Sequence, residues 1–240
     1  MTYCVGLLLN DGLVLLSDTR TNAGLDNIST YRKMFLFEDP GECVVAIMTA
    51  GSLSVTQTAI ARLREIADDP EADGETSLLK APTMLKVAEI AGNMLAQVRG
   101  EVDDKLGATQ ATSASMIVAG QRRGSPMRLF LIYPEGNYIE ATEDTPFLQI
   151  GEHKYGKPIL DRMVKPETSL ADAQKAVLLS MDSTLRSNLS VGMPLDLCVI
   201  ERDACRVGMT RRFEPGDPAF RAISDAWSEA LRKGFRGISL

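Results

Sequence analysis

The chain opens on the pattern of a β-hairpin, and no other feature of the sequence constrains the fold as strongly. Residues 3–9 form an apolar run, residues 10–12 read Asn-Asp-Gly, and residues 13–16 form a second apolar run. Asp-Gly between two short apolar runs favours a tight hairpin turn, because glycine adopts the positive φ that such turns require. Only Met1 and Thr2 precede the first run, so we expect the N-terminus to belong to the folded core.

The rest of the chain alternates between groups of strands and pairs of helices. Strands are predicted over 33–37, 43–48, 113–119, 127–133, 137–141, 195–200 and 206–210, and helices over 53–66, 84–98, 157–163 and 169–186. Because the strands cluster in runs joined by turns, we expect mainly antiparallel sheets. Two helix pairs outside two stacked sheets would give an α/β fold, a four-layer αββα sandwich. We expect one domain over 1–240, with 215–240 as an amphipathic helical tail.

Composition removes several classes of function. The formal net charge of −6 argues against a general nucleic-acid-binding surface. A single histidine, His153, excludes a zinc site built from several histidines, and we expect no metal and no cofactor. No apolar stretch approaches the ~20 residues that span a bilayer, and no signal peptide is evident, so we expect a cytoplasmic protein that does not bind membranes. The four cysteines, each in or beside an apolar run, are predicted to be buried thiols.

The position of Thr2 makes it a candidate nucleophile. Methionine aminopeptidases generally remove Met1 before a small residue, which would leave Thr2 with a free α-amino group beside its own hydroxyl. That amine has an ordinary pKa of about 7.7–8.0 and can act as general base for the hydroxyl. Many proteins begin Met-Thr, however, and position alone favours an incidental second residue.

Further segments place Thr2 in a wider pattern. They are Ser17-Asp18-Thr19-Arg20, Ala23-Gly24, Lys33 and Thr49-Ala50-Gly51-Ser52. Together with Thr2 they match, in type and spacing, the motifs of the proteasome β-subunit family, which this chain resembles. Residues 1–7, 17–24 and 156–162 are similar to the bacterial Anbu, or ancestral β-subunit, group of that family. The resemblance covers nearly the whole chain and implies the fold of an N-terminal-nucleophile hydrolase.

The resemblance implies a role for each residue of the site. Thr2 would attack a carbonyl, Lys33 would favour the alkoxide by its positive charge, and Asp18 would hold the ammonium group of Lys33. The amide of Gly51 would donate to the developing oxyanion. Taken separately, Asp18 and Lys33 could be a surface ion pair and Gly51 a turn glycine; the joint spacing favours the catalytic interpretation.

The resemblance also implies where a peptide substrate binds. The backbone groups of Thr21 and Gly51 would pair with an extended substrate. The pocket for the side chain before the cleaved bond would be lined by Thr21, Tyr31, Phe35, Thr49 and Leu53. None of these residues is charged, so an apolar or small polar side chain should be preferred.

This chain departs from the family pattern at two positions near the nucleophile. Ser187 stands where the family usually has Asp. Ser190 matches the serine that the family has in the same segment, and we count it among the catalytic residues. Glu152 replaces a common serine, and His153 after it is predicted to be a loop residue. Lys157 lies near P-loop spacing, but a proline follows where a Ser or Thr is needed, so the chain should not hydrolyse ATP.

Three functions remain open at this point. The favoured one is a threonine hydrolase that cleaves amide bonds, with a peptide or protein as substrate. The second is a ring-forming structural subunit with weak or no peptidase activity, and the third is an amidase of small molecules. The expected partner is further copies of the chain, in a ring or an open helical turn. Whether a separate ATPase acts with it stays open.

Overall fold

Two five-stranded antiparallel sheets stack face to face in the computed structural model, which describes residues 1–22, 28–106 and 112–239. The strands are β1 Tyr3–Leu9, β2 Gly12–Asp18, β3 Arg20–Asn22, β4 Ile28–Thr30, β5 Met34–Asp39, β6 Cys43–Gly51, β7 Ala114–Arg122, β8 Arg128–Ile132, β9 Tyr138–Glu140, β10 Phe147–Gly151, β11 Leu195–Glu201 and β12 Met209–Phe213. The helices are α1 Leu53–Asp68, α2 Met84–Leu106, α3 Lys157–Met163, α4 Leu170–Ser187 and α5 Pro218–Arg236.

The first sheet has the order β10-β1-β2-β11-β12, so the N-terminal strand lies inside the sheet. The predicted hairpin joins β1 to β2 with Leu9 opposite Gly12. On its other side β1 pairs with β10, a strand that the sequence analysis did not predict, with Tyr3 opposite Gly151. Thr2 therefore enters the fold from a strand that is held on both edges.

The second sheet has the order β5-β6-β7-β8-β9. Its central strand β7 pairs with β6 along nine residue positions, from Cys43 opposite Arg122 to Gly51 opposite Ala114. A separate two-stranded ladder, β3 with β4, was also not predicted. This ladder follows directly after β2 and leads the chain across to Lys33 at the start of the second sheet.

The sandwich has three apolar layers, as the αββα prediction requires. Between the sheets lie buried side chains of both, among them Cys4, Leu15, Met48, Ile117 and Cys198. Outside the second sheet, Leu63 of α1 and Leu95 of α2 pack against it. Outside the first sheet, Leu160 of α3 and Met181 of α4 pack in the same way. The predicted four-layer fold is confirmed.

The tail helix α5 starts at a strong N-cap and docks only in part. Asp217 accepts hydrogen bonds from the amides of the first turn, at 2.8 and 3.0 Å. Phe220 is buried, and the Ser224 hydroxyl donates to Asp182 of α4 at 2.8 Å. Beyond these contacts an exposed apolar stripe remains, which we call the tail stripe and which consists of Leu231 and Phe235 of α5 and Ile238 just after it.

Two expectations from composition can be compared with the structure. All four cysteines are buried and free, as predicted. Within residues 1–22, 28–106 and 112–239, no helix combines the length and the apolar character needed to cross a membrane.

Candidate active site

Thr2 is fixed in place by the end of β10. Its carbonyl oxygen accepts a hydrogen bond from the Glu152 amide at 2.7 Å, and only 7% of the residue is exposed. Gly151 has a φ of +81°, and a Cβ atom there would lie 1.9 Å from the Thr2 carbonyl oxygen. A side chain at this position would therefore push against the backbone that carries Thr2.

Asp18 and Lys33 form a buried ion pair beside Thr2. The Lys33 ammonium donates to Asp18 Oδ1 at 2.7 Å and to the Arg20 carbonyl at 2.7 Å. Both residues are almost fully inaccessible to solvent. The ammonium also lies 3.4 Å from the Met1 carbonyl oxygen, which places its charge next to the peptide bond that precedes Thr2. Asp18 and Lys33 are therefore not the surface ion pair that the sequence analysis considered as an alternative.

The Asp18 carboxylate has backbone donors on both oxygens. The Tyr3 amide donates to Oδ1 at 3.1 Å, and the Gly192 amide donates to Oδ2 at 3.2 Å. Burial raises the pKa of Asp18 above its ordinary value, although Lys33 and the two amides act in the opposite direction. Because the carboxylate orients the Lys33 ammonium, protonation of Asp18 in acid would release that orientation.

A cavity of about 280 Å³ opens over this ion pair. Six predicted residues line it, namely Thr2, Thr21, Lys33, Thr49, Gly51 and Leu53. Three residues that the sequence analysis did not select line it as well, namely Met1, Ala50 and Thr56. Asp18 lies behind Lys33 and contacts the cavity only through it. The structure thus brings Thr2, the Lys33 ammonium and the Gly51 backbone to one concave surface.

Gly51 can be only a glycine in this fold. It ends β6 with a φ of +100°, and a Cβ atom would lie 2.3 Å from the Ser113 carbonyl oxygen of the neighbouring strand. The amide of the next residue, Ser52, donates to that same oxygen at 2.9 Å and so starts the turn into α1. This local geometry leaves the Gly51 backbone on the cavity wall.

Three other predicted site residues do not line the cavity. Tyr31 is 39% exposed between β4 and β5. Phe35 faces the helical layer over the second sheet, where it packs against the buried cluster of α1 and α2. Ser190 lies in the loop between α4 and β11, where its amide donates to Asn188 Oδ1 at 2.9 Å. Their catalytic or binding roles stay predictions.

The positions where the chain departs from the expected pattern also lie outside the cavity lining. Ser187 is exposed at the last residue of α4. Glu152 and His153 lie in the turn between β10 and α3, and an imidazole nitrogen of His153 lies 3.1 Å from the Gly151 carbonyl oxygen. The Ala23-Gly24 pair is outside the described residues. Among those that are described, no group of three or more His, Cys, Asp and Glu residues could hold a metal ion.

A loop contact that the sequence analysis missed supports the ion pair from below. The Gly192 carbonyl accepts from the Thr19 and Arg20 amides at 3.4 and 3.3 Å. The Arg20 guanidinium donates to the Leu189 carbonyl at 2.9 Å, and a Cβ atom on Gly192 would lie 2.1 Å from Arg20 Nε. Arg20 therefore holds the loop whose Gly192 amide binds Asp18. The only signal in the sequence was a glycine shortly after a helix.

The chain is similar to proteins of one family over most of its length. A family model described as Proteasome subunit matches residues 2–200. The chain is 26% identical over 205 residues to "Proteasome subunit beta 2" of Pyrobaculum calidifontis, covering 84% of this chain and 90% of that protein.

Solved structures extend the similarity to the whole chain. The "Anbu (Gly-1) mutant" of Hyphomicrobium sp. strain MC1 is 47% identical with a TM-score of 0.93, covering 100% of this chain and 99% of that chain. The "Helical Assembly of the Anbu Complex" of Pseudomonas aeruginosa is 42% identical with a TM-score of 0.92, covering 99% and 97%.

Gly151→Ala should destabilise the protein more than a glycine replacement without a close neighbour. Gly41 is the matched control, since its φ of +87° is similar but nothing lies within 4 Å of an added Cβ atom. We expect about 1 kcal/mol for Gly41→Ala from the left-handed backbone alone, and at least ~2 kcal/mol for Gly151→Ala. Urea unfolding of the two variants measures the difference. Equal losses would show that Gly151 does not constrain Thr2.

Proposed function

Because the chain belongs to the proteasome subunit family and has the fold of its N-terminal-nucleophile hydrolases, we propose that Thr2 is its nucleophile and that it cleaves amide bonds in peptides. The observation that carries this proposal is the cavity that Thr2 shares with Lys33 and Gly51, above the buried carboxylate of Asp18. An unassisted threonine hydroxyl is a weak nucleophile. In this cavity a positive charge from Lys33 and a backbone amide at Gly51 lie close to it.

The proposed reaction begins with the loss of Met1. With Met1 attached, the Thr2 nitrogen is an amide and has no basic lone pair. After its removal, the neutral α-amine would take the proton of the Thr2 hydroxyl as the oxygen attacks the substrate carbonyl. The Lys33 ammonium, held by Asp18 and the Arg20 carbonyl, would stabilise the negative charge on the attacking oxygen.

The remaining steps use the same groups in reverse. The carbonyl oxygen of the substrate would become an oxyanion and accept from the Gly51 amide. Collapse of the tetrahedral intermediate would break the amide bond, and the α-ammonium would return its proton to the leaving amine. The acyl group would then be joined to Thr2 as an ester. The α-amine would take a proton from a water molecule as that water attacks the ester, and it would return the proton to the departing Thr2 oxygen. The hydroxyl and the neutral amine are restored at the end.

One observation favours the second candidate, a structural subunit of low activity. Ser187, at the position where the family usually carries Asp, is exposed at the end of α4 and does not line the cavity. A free Thr2 amine would then have no carboxylate from this segment beside it. Labelling with a threonine-directed electrophile, followed by peptide mapping and intact mass, separates the two functions. A modified Thr2 in chains without Met1 supports the hydrolase, whereas unmodified Thr2 in such chains supports the structural subunit.

Thr2→Ala should abolish amide hydrolysis, by on the order of 10³-fold or more, and leave the fold intact. Lys33→Ala should remove most of the activity, and Lys33→Arg should not restore it, because a planar guanidinium differs from an ammonium in shape and hydration. Thr58→Ala, on the exposed side of α1, is the control and should be neutral. Hydrolysis of fluorogenic peptides measures all four variants. Unchanged turnover in Thr2→Ala would remove the proposal.

The cavity should prefer an apolar or small polar side chain before the cleaved bond. Apart from Met1, Thr2 and Lys33, its lining is small and uncharged, with Thr21, Thr49, Ala50, Gly51, Leu53 and Thr56. The Lys33 charge is already paired with Asp18, so a charged substrate side chain would be buried without a partner. A peptide library varied at this one position tests the preference. Strong selection of Asp, Glu, Lys or Arg would contradict it.

We propose that the protein is a homo-oligomer with heterologous contacts, in a ring or an open helical turn. Support comes from the tail stripe, where Leu231, Phe235 and Ile238 expose 53%, 80% and 72% of their surface, and from the helical assembly of the Anbu complex of P. aeruginosa. Light scattering should show a mass well above 26.1 kDa at micromolar concentration, and Phe235→Ser should reduce it. A monomeric wild type would contradict the proposal.

A further inference from the structure

Strand β12 ends the first sheet with a free edge. It pairs with β11 alone, and among the described residues no strand lies on its other side. Residues 209–211 of this edge are exposed to solvent. A free edge of this kind can accept an extended chain as a further strand.

A cationic cavity of about 240 Å³, the inner cavity, lies on the face of β12 that points toward the second sheet. Thr210 and Arg212 of β12 line it, together with Asp196 of β11 and Arg32 just before β5, whereas Arg211 borders both this cavity and the one on the opposite face of β12. Arg212 already donates to both oxygens of Asp196, at 2.8 and 3.1 Å. Arg211 forms an ion pair with Asp217 at 3.4 Å. Arg32 makes no ion pair with any residue in the described part of the chain, so it adds a positive charge to the inner cavity that no described carboxylate balances.

An apolar cavity of about 250 Å³, the outer cavity, lies on the opposite face of β12. Leu178 of α4 and Ile223 of α5 form its walls, and Met209 and Phe213 of β12 contribute to its floor. Its two cationic residues, Lys175 and Arg211, are paired with Asp172 and Asp217. A strand added to β12 would have α4 and α5 near one of its faces. The start of β5 would lie near its other face. Because successive side chains of a strand point to opposite faces, such a strand would place them alternately in the outer and the inner cavity.

We propose that the β12 edge binds an extended peptide segment with alternating apolar and acidic side chains. Backbone hydrogen bonds to β12 would provide the pairing, apolar side chains would enter the outer cavity, and carboxylates would enter the inner cavity. Guanidinium groups bind carboxylates through paired hydrogen bonds, which makes Arg32 a suitable partner. The proposal goes beyond the hydrolase function and does not depend on it, since neither cavity contains Thr2 or Lys33.

The binding test uses the full chain with Thr2→Ala, so that no probe is cleaved. The probe is a fluorescein-labelled, C-terminally amidated peptide that alternates valine and glutamate, and its match alternates valine and lysine. Fluorescence anisotropy should show saturable binding of the glutamate peptide and at least tenfold weaker binding of the lysine peptide. Similar binding of both peptides, or none of either, would overturn the proposal.

Matched variants locate the binding surface. Arg32→Gln should weaken the glutamate peptide about threefold, the size of one partly exposed ion pair, whereas Arg206→Gln, an exposed arginine outside both cavities, should not. Met209→Ser should weaken it and Met163→Ser should not, since Met163 is exposed on α3. Equal effects within either pair would overturn the proposal.

Hydrogen exchange separates strand addition from loose attachment of side chains. Amides within 209–213 should exchange more slowly when the glutamate peptide is bound, because added backbone pairing protects them. Unchanged exchange there would overturn the proposal. So would slow exchange before the peptide is added combined with no binding, which would show that the edge is already covered by a second copy.

Discussion

The buried ion pair between Asp18 and Lys33 is the interaction on which the site depends. It joins the end of β2 to the start of the second sheet, and its hydrogen bonds reach the first residue of β1 and the loop after α4. Two charges removed from water cost several kcal/mol, and only close geometry with further hydrogen bonds offsets that cost. Here the carboxylate accepts from two amides and the ammonium donates to a backbone carbonyl as well. The pair therefore holds four segments in one arrangement. If one of them moved away, a buried charge would lose a partner.

The region around Thr2 is built where strand ends of both sheets converge. β1 begins there, while β2, β6 and β10 end there. At Gly51 and Gly151 the backbones approach so closely that an added Cβ atom would lie within 2.3 Å of a neighbouring carbonyl oxygen. The approach at Gly151 couples the end of β10 directly to the backbone of Thr2. This arrangement places chemistry on regular elements, which hold geometry more tightly than free loops do.

The sequence was sufficient for the fold class and for the residues nearest Thr2, because hairpin turns and short motifs leave local signals. Strand β10 was missed, since its five residues have no clear alternation and the residues of β1 that it pairs with lie at least 140 positions away. The Gly192 contact with Asp18 spans 174 positions and could not be inferred from spacing. Phe35 illustrates a different limit: its place on β5 was clear, but the helical layer that it contacts was decided by packing. Thr56, in the first turn of α1, also lines the cavity, and nothing in the sequence pattern singled it out.

The position of Met1 on the cavity wall has a practical consequence for work with this protein. Under the proposed mechanism, removal of Met1 by a separate enzyme would decide whether a chain is active, and a purified sample would hold both mature and latent chains wherever that removal is incomplete. An affinity tag fused before Thr2 would keep every chain latent, whereas one fused beyond α5 would follow an exposed helix end. Counting reactive N-termini would then measure the fraction of mature chains. Rates expressed per total protein would understate the activity of those mature chains.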